Sequence, residues 1–186
     1  NLDAKILSRS VVDGATSVIA RAKTGGQAHV VNVLSDDALI QQGIDFSDNG
    51  ATINVHAGTY NENVVIDKHG LSLLGGIGGE SVIAPSTSGA KNAAIYVKRL
   101  GSSTNNITID KFTINGSNVG YGVLARDVYD FNLKNMLVQN TSIAGFNVAV
   151  DHASVVGASV TNIENNVIDG SNTGDGIQIS GDSAGR

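Results

Sequence analysis

Three aspartates follow short, glycine-led apolar segments at almost the same spacing. Asp127, Asp151 and Asp182 each come five or six residues after such a glycine. If the segments stack on one another, the three carboxylates fall on one side of the molecule. Clustered carboxylates bind Ca²⁺, and a suitably separated pair acts as general acid and base in glycoside cleavage. The spacing therefore predicts a calcium site or a catalytic site at these residues. The competing interpretation is that they are surface turns of an acidic chain.

Side chains that can transfer a proton lie next to these aspartates. His152 follows Asp151, Arg126 precedes Asp127, and Tyr121 begins the same segment. A tyrosine, a histidine and a carboxylate on one face support proton abstraction from a sugar carbon. Arg126 keeps its proton in ordinary surroundings, so a role as a base needs an unusual site. His152 therefore joins the aspartates as a candidate catalytic residue, and the alternative for it is a solvated turn.

The elements that must position these residues are short apolar strands that recur along the chain. The distance from Ile109 to Leu133 is 24 residues, and so is the distance from Ile114 to Val138. Three short strands in each period of this length are the signature of a solenoid, in which each repeat contacts only its neighbours. Aligning the repeats predicts three interior stacks: Ile107 over Phe131, Phe112 over Met136, and Val123 over Phe146 over Ile177.

The composition is typical of many short strands joined by sharp corners. There are 23 glycines, aromatic residues make up only 4%, and tryptophan is absent. Val, Ile, Leu and Ala must therefore fill the core, and β-branched residues favour pleated surfaces. Glycine and asparagine tolerate the left-handed backbone of tight turns. Asn135, Asn165 and Asn166 fall near a predicted bend, where we expect their amides to stack along the axis.

The first part of the chain does not share this period. Residues 1–34 contain β-like segments and are interpreted as a β-rich lead-in or as the end of a preceding domain. Ser35, followed by two aspartates, predicts the start of a helix over residues 36–46, because serine is a good N-cap and acids favour the first turn. We expect residues 35–186 to form the solenoid, with this helix as its N-terminal cap and with a truncated C-terminal end.

One segment matches a known pattern. It spans residues 52–75, contains Gly58-Thr59-Tyr60 and Glu62, and ends at the first glycine of Gly75-Gly76. Together with the preceding helix, it resembles the first coils of right-handed parallel β-helix proteins of the pectin-lyase-like superfamily. The resemblance covers roughly residues 35–186 and implies an all-β fold with a short N-terminal capping helix. It leaves the activity open, because the superfamily contains lyases, hydrolases, esterases, epimerases, tailspikes and adhesins.

Shorter motifs resemble those of sugar-active enzymes with this fold. Residues 172–176 resemble the Asn-Thr-Asp-Gly motif of polygalacturonase-type hydrolases, but a glycine is inserted before Asp175, and the further Asp-Asp and Gly-His-Gly motifs of that family do not occur. Asp151-His152 resembles the Asp-Pro-His motif of mannuronan epimerases without its proline. Pectate lyases pair calcium-binding acids with a basic residue, and Arg126 and Lys98-Arg99 are the candidates for it here. Each match is incomplete, so Asp175 is also interpreted as a turn residue.

Charge and composition argue against several functional classes. The formal net charge is −5 and the lysines and arginines are scattered, which argues against a nucleic-acid partner. No apolar run approaches the roughly 20 residues that span a bilayer. Cysteine is absent, which excludes disulfides and thiolate metal sites. Because the sequence begins at Asn1 and ends directly after a predicted strand, we interpret it as a piece of a longer chain.

Two functional classes remain open. The first is a β-helical scaffold or adhesion segment of a larger secreted or surface protein, which binds a polysaccharide or a cell-surface glycan along its parallel face. The second is a polysaccharide lyase, C5-epimerase or glycoside hydrolase that acts on an acidic glycan, with Ca²⁺ as the expected cofactor. Both predict an extracellular or cell-surface location. End-to-end self-association through an uncapped strand edge is a third hypothesis.

Overall fold

The computed structural model of the chain describes residues 18–22, 28–34, 38–100, 104–150, 160–170 and 174–181. Over these residues the protein is all-β, with one short α-helix and one 3₁₀ turn at Ala90–Asn92. The helix, α1, spans Ile40–Asp45. The strands are β1 Val18–Ala22, β2 Ala28–Val33, β3 Ser47–Tyr60, β4 Val64–Ile66, β5 Ser72–Ile83, β6 Ala93–Val97, β7 Thr104–Asp110, β8 Thr113–Asn115, β9 Tyr121–Lys134, β10 Leu137–Gln139, β11 Ala144–Val150, β12 Asn162–Glu164, β13 Val167–Asp169 and β14 Asp175–Gly181.

The strands belong to one 14-stranded sheet, and each described pairing is parallel except the antiparallel pair of β1 and β2. The pairs form three columns. The first contains β2, β3, β5, β7, the second half of β9, and β12. The second contains the ends of β3 and β5, followed by β8, β10 and β13. The third contains β4, β6, the first half of β9, β11 and β14. Long strands such as β9 therefore belong to two columns and join them at a corner.

The core is made of apolar side chains that lie in register from strand to strand. In the third column, Val64, Ile95, Val123, Phe146 and Ile177 pair in that order, which confirms the predicted stack of the last three. Ile107 pairs with Phe131, which confirms the stack predicted for these two residues. Phe112 and Met136 are both buried and directly precede the paired residues Thr113 and Leu137, as the predicted stack of Phe112 over Met136 requires. Parallel pairing places like side chains about 4.8 Å apart, so each column buries a continuous apolar row.

A column of glycines explains the recurring motif of the sequence. Gly122, Gly145 and Gly176 lie between two register pairs of the third column. A methyl group at Gly122 would lie 2.6 Å from both the Gly145 carbonyl oxygen and Val138 Cγ1. At Gly145 it would lie 2.7 Å from Ile168 Cγ2. The second column therefore approaches the third too closely for a side chain, and glycine recurs because it has none.

Helix α1 begins later than predicted, and its cap comes from another part of the chain. Its N-cap residue is Leu39, which makes no side-chain cap hydrogen bond, whereas the predicted N-cap Ser35 lies outside the described residues. The N–H groups of Ile40 and Gln41 donate to the two carboxylate oxygens of Glu62, at 2.5 and 3.0 Å. Burial raises the pKa of Glu62 above its ordinary value, and the nearby Asp45 adds to the increase, although the two N–H donors act in the opposite direction.

The helix covers the first strands of the sheet. Ile40 and Ile44 are fully buried, and a methyl group at Gly43 would lie 3.1–3.3 Å from side chains of β2 and β3. β2 precedes residue 35 but pairs in parallel with β3, so the described sheet continues across the predicted domain boundary, which stays a prediction.

The asparagines at the corner contact backbone groups and a carboxylate. Asn135 and Asn165 have φ of 52° and 55°, which asparagine tolerates better than most residues. Asn166 accepts from the Met136 N–H and donates to the Leu133 carbonyl, so it links two layers through their main chains. Asn135 donates to Asp110. The amide pairs that do form along the stack lie elsewhere: Asn32 with Asn54, Asn132 with Asn162, Asn115 with Asn140, and Asn147 with Gln178.

Candidate functional site: a cationic groove on the third column

A groove of about 390 Å³ lies on the outer face of the third column. It is bounded by the 3₁₀ turn, by β6 and the residues after it, and by the first half of β9. Its lining consists of Lys91, Tyr96, Arg99, Tyr121, Leu124, Arg126 and Asp127. Three cations, two tyrosines, one leucine and one carboxylate therefore share one depression.

The floor of the groove comes from strand alternation. Tyr96 pairs with Leu124, and the residues that flank each of them in the strand are buried in the core. Because side chains alternate between the two faces of a strand, Tyr96 and Leu124 point outward. Leu124 is nevertheless only 3% exposed. Leu124 therefore forms an apolar, poorly solvated base of the groove beside the aromatic ring of Tyr96.

A β-bulge in β9 supplies the charged side of the groove. Val148 pairs with Ala125 and Val150 pairs with Val128, so two residues of β9, Arg126 and Asp127, lie opposite one residue of β11. Asp127 has a φ of 52°, in the left-handed region that aspartate visits more readily than most residues. A bulge breaks the alternation of side chains and redirects them. Arg126 and Asp127, although adjacent in sequence, therefore both line the groove.

The charges in the groove do not balance. Arg99 Nη1 lies 3.2 Å from Asp127 Oδ2, and the two side chains are 55% and 28% exposed. Exposed ion pairs of this kind contribute little stability, about 0–1 kcal/mol. The remaining cations of the lining are Lys91 and Arg126. The groove is thus locally positive on a chain whose formal net charge is −5, and such a local field attracts anions.

The wall that carries Lys91 is held in an uncommon backbone conformation. Lys91 and Asn92 have φ of 60° and 57°, a conformation that costs about 1–2 kcal/mol per non-glycine residue. The Gly120 N–H donates to both the main-chain carbonyl and the side-chain oxygen of Asn92, at 3.0 and 2.9 Å. These bonds tie the 3₁₀ turn to the residue before Tyr121. Lys91 and Tyr121 are therefore positioned by one local network.

The structure brings together some of the residues that the sequence predicts as site residues. Tyr121, Arg126 and Asp127 line one groove with Arg99. Asp151, His152 and Asp182 lie outside the described residues, so the three-aspartate calcium site and the catalytic set that includes His152 stay predictions. Within the ranges that the structure describes, no group of three or more His, Asp or Glu side chains is arranged to hold a metal ion.

The structure shows the local positions of two of the candidate aspartates, Asp127 and Asp175. Asp127 belongs to the bulge and precedes the Val128–Val150 pair, whereas Asp151 follows Val150 in the sequence, so the two aspartates do not occupy equivalent positions of the repeat. Asp175 begins β14, and its Oδ2 accepts from Gln178 Nε2 at 2.8 Å. That local contact agrees with the structural interpretation of Asp175.

Sequence reasoning missed Tyr96, Lys91 and Leu124. The available signal was the alternation around Tyr96, which matches the alternation around Leu124 once β6 is aligned with β9.

Comparison with protein-family models, with curated proteins and with solved structures gives no match to this chain. No helix in the described part of the chain is long and apolar enough to cross a membrane. A proposal for the function must therefore come from the charged and aromatic side chains that line the groove.

Proposed function

We propose that the chain is a right-handed parallel β-helix that binds an acidic polysaccharide in the cationic groove. The observation that carries the proposal is the composition of the lining: Lys91, Arg99 and Arg126 surround Tyr96 and Tyr121. Guanidinium and ammonium groups bind carboxylates through charge-assisted hydrogen bonds. Tyrosine offers an apolar ring for a sugar face and a hydroxyl for its edge. A uronic acid residue presents both features to a protein.

The fold supports an extended ligand. Strand pairs repeat about every 4.8 Å along the third column, so its outer face presents regularly spaced side chains beside the groove. Repeat proteins of this kind commonly bind along such surfaces. In this proposal the chain is a rigid scaffold or adhesion segment of a secreted or cell-surface protein, and the groove is the point at which it holds a glycan.

The test is a calorimetric titration with oligogalacturonate, with its methyl-esterified form as the neutral probe. We expect binding of the acidic oligomer, weaker binding of the ester, and a loss of affinity as salt screens the exposed charges. Arg126→Ala removes one charge-assisted hydrogen bond, which is worth about 1.5–3 kcal/mol and corresponds to at least a tenfold rise in Kd.

The matched control is Lys134→Ala, because Lys134 lies in the same strand as Arg126 and pairs with Glu164 outside the groove. The control should leave the affinity unchanged. Equal losses in the two variants, or equal affinity for the acidic and esterified oligomers, would contradict the proposal.

A second candidate function is cleavage or epimerisation of the same acidic glycan. It is favoured by the presence of a phenol, a guanidinium and a carboxylate in one groove, at Tyr121, Arg126 and Asp127. The assay is ultraviolet absorbance of unsaturated uronate products, together with proton NMR of the polymer, with and without Ca²⁺. Turnover that is lost in Asp127→Asn while the variant stays folded would support the enzyme. Binding without any product would leave the scaffold as the function.

A further inference from the structure

The groove is longer along the strands than across them. Lys91 precedes β6 and Tyr121 begins β9, whereas Arg99 follows β6 and Arg126 lies at the bulge of β9. Tyr121 and Arg126 are five residues apart, and at about 3.3 Å per residue this corresponds to roughly 16 Å. β6 and β9 are neighbours, with only about 4.8 Å between adjacent strands. The long dimension of the groove therefore follows these two strands and crosses the direction in which the layers stack.

Each end of the groove carries one positive charge. Lys91 supplies it at the end where the two strands begin. At the other end, two guanidinium groups and one carboxylate, from Arg99, Arg126 and Asp127, give a formal charge of +1. The buried side chain of Leu124 lies between the two ends. A ligand that complements this arrangement has an acidic group at each end and an apolar face in the middle.

The layers on either side of the groove do not continue its positive charge. β4 pairs with β6, and β11 pairs with β9, but neither β4 nor β11 contains a charged residue. The residue of β11 that pairs with Leu124 is Asn147, and its amide donates to Gln178 Oε1 at 2.5 Å. Lys68, which follows β4, lies 3.7 Å from the carboxylate of Asp67. An acidic chain that followed the stacking direction would leave the cations of the groove, whereas one that followed the strands meets a cation at each end.

The fold holds the two ends at a fixed distance. β6 pairs with β9 in register from Ala93 to Val97. At the first end, the hydrogen bonds between Gly120 and Asn92 hold the turn that carries Lys91. A preformed spacing favours ligands that match it, because the protein loses little freedom on binding.

We propose that the groove binds an acidic oligosaccharide that lies along β6 and β9, across the stack, with one carboxylate at Lys91 and another at Arg126. This inference rests on the proposed function and adds the direction of the ligand and its minimum length. A single uronate reaches one end of the groove, whereas an oligomer that spans it makes two charge-assisted contacts. The second contact forms within the same complex, so it raises the affinity without a second association step. Lys91 is thus the residue that selects for length.

Calorimetric titration of the chain with galacturonate and with oligogalacturonates of increasing length gives the first test. The affinity should rise by at least about tenfold once the oligomer spans both ends. It should then stay constant, because β4 and β11 offer no further charge. An affinity that kept rising with each added sugar, or one that was the same for the monomer as for the hexamer, would overturn the proposed direction.

Variants at the two possible exits of the groove give the second test. Lys91→Met keeps the length of the side chain and removes its charge. It should weaken binding of the hexamer by about tenfold or more and abolish the gain with length, whereas Lys91→Arg should bind as the parent does. Asn147→Ala is the matched control, because Asn147 lies in the next layer along the stack, and it should leave the affinity unchanged. Circular dichroism checks that each variant is folded.

The outcomes separate the direction of the ligand from the proposed function. If Asn147→Ala weakened hexamer binding and Lys91→Met did not, acidic sugars would still bind, but along the stack, and the present inference would be wrong. If neither the monomer nor the hexamer bound to the parent, the proposed function would fail together with it.

Discussion

Alanine substitutions along the glycine column should destabilise the protein in a graded order. At Gly122 the new methyl group would meet a backbone oxygen and a valine methyl, both at 2.6 Å. At Gly145 it would meet Ile168 at 2.7 and 2.8 Å and a backbone oxygen at 2.9 Å. At Gly176 the nearest atom is Ile168 Cδ1 at 3.9 Å, which is ordinary van der Waals contact. We therefore expect the cost to fall from Gly122 to Gly145 to Gly176.

The size of each effect follows from two opposing contributions. Overpacking a close contact costs about 1–3 kcal/mol. Replacing glycine by alanine restricts the unfolded chain and returns about 0.4–1 kcal/mol where the native backbone is compatible. None of the three positions has a φ in the left-handed region. Gly122→Ala should thus lose about 1–2 kcal/mol, Gly145→Ala about 1 kcal/mol, and Gly176→Ala should gain up to about 1 kcal/mol.

Urea unfolding and thermal unfolding, both followed by circular dichroism, measure these differences. For a chain of this length each kcal/mol shifts the Tm by about 2–4 °C. The urea m-value should not change, because the surface exposed on unfolding is the same. Gly176→Ala is the internal control, since it makes the same chemical change in the same column. If it destabilised the protein as much as Gly122→Ala, the close approach of the second and third columns would not be the reason for the glycines.

Three further predictions concern single side chains. Burial raises the pKa of Glu62 above its ordinary value of 4.5, so the folded state favours the protonated carboxyl group. The free energy of unfolding of the parent, relative to that of Glu62→Gln, should therefore fall as the pH rises above 4.5. Urea titrations at successive pH values measure this difference, and a difference that grew with pH would contradict the prediction. Asp127→Asn should lower the Kd for oligogalacturonate by up to about fivefold, because it removes the negative charge that pairs with Arg99. Calorimetry at low salt measures the Kd, and weaker binding by the variant would instead show that Asp127 contacts the ligand. Phe146→Ala, in the fully buried row, should cost about 3–5 kcal/mol, whereas Phe46→Ala at a half-exposed site should stay within about 0.5 kcal/mol, and similar Tm values for the two would argue against the buried row.

The stacking of the strands could be predicted because it depends on local patterns that repeat. The spacing from Ile107 to Phe131 and from Val123 to Phe146 set two rows of the core, and both rows are in register in the structure. Interior residues are constrained by the same neighbours in each layer, so their spacing in sequence is almost constant.

The groove could not be predicted in the same way. Tyr96 and Leu124 are 28 residues apart and become neighbours only after β6 is aligned with β9, across a segment whose length departs from the repeat. The bulge at Asp127 has no sequence signature, because the two residues that form it, Arg126 and Asp127, are ordinary strand neighbours until β9 is aligned with β11. The cap of α1 escaped prediction for a related reason: Glu62 lies more than 20 residues from the N–H groups that it accepts from, whereas N-cap rules consider only adjacent residues.

The distance between α1 and its cap has a consequence for the order in which the chain acquires structure. Gln41 also pairs with the main chain of Val65, donating to its carbonyl and accepting from its N–H. A six-residue helix is not stable alone in water. During synthesis the segment that becomes α1 must therefore wait, without its cap, until β3 and β4 have left the ribosome. Helix α1 and the first strands that it covers, β3 and β4, then fold together. Each later strand pairs with a sheet whose N-terminal end is already covered by α1.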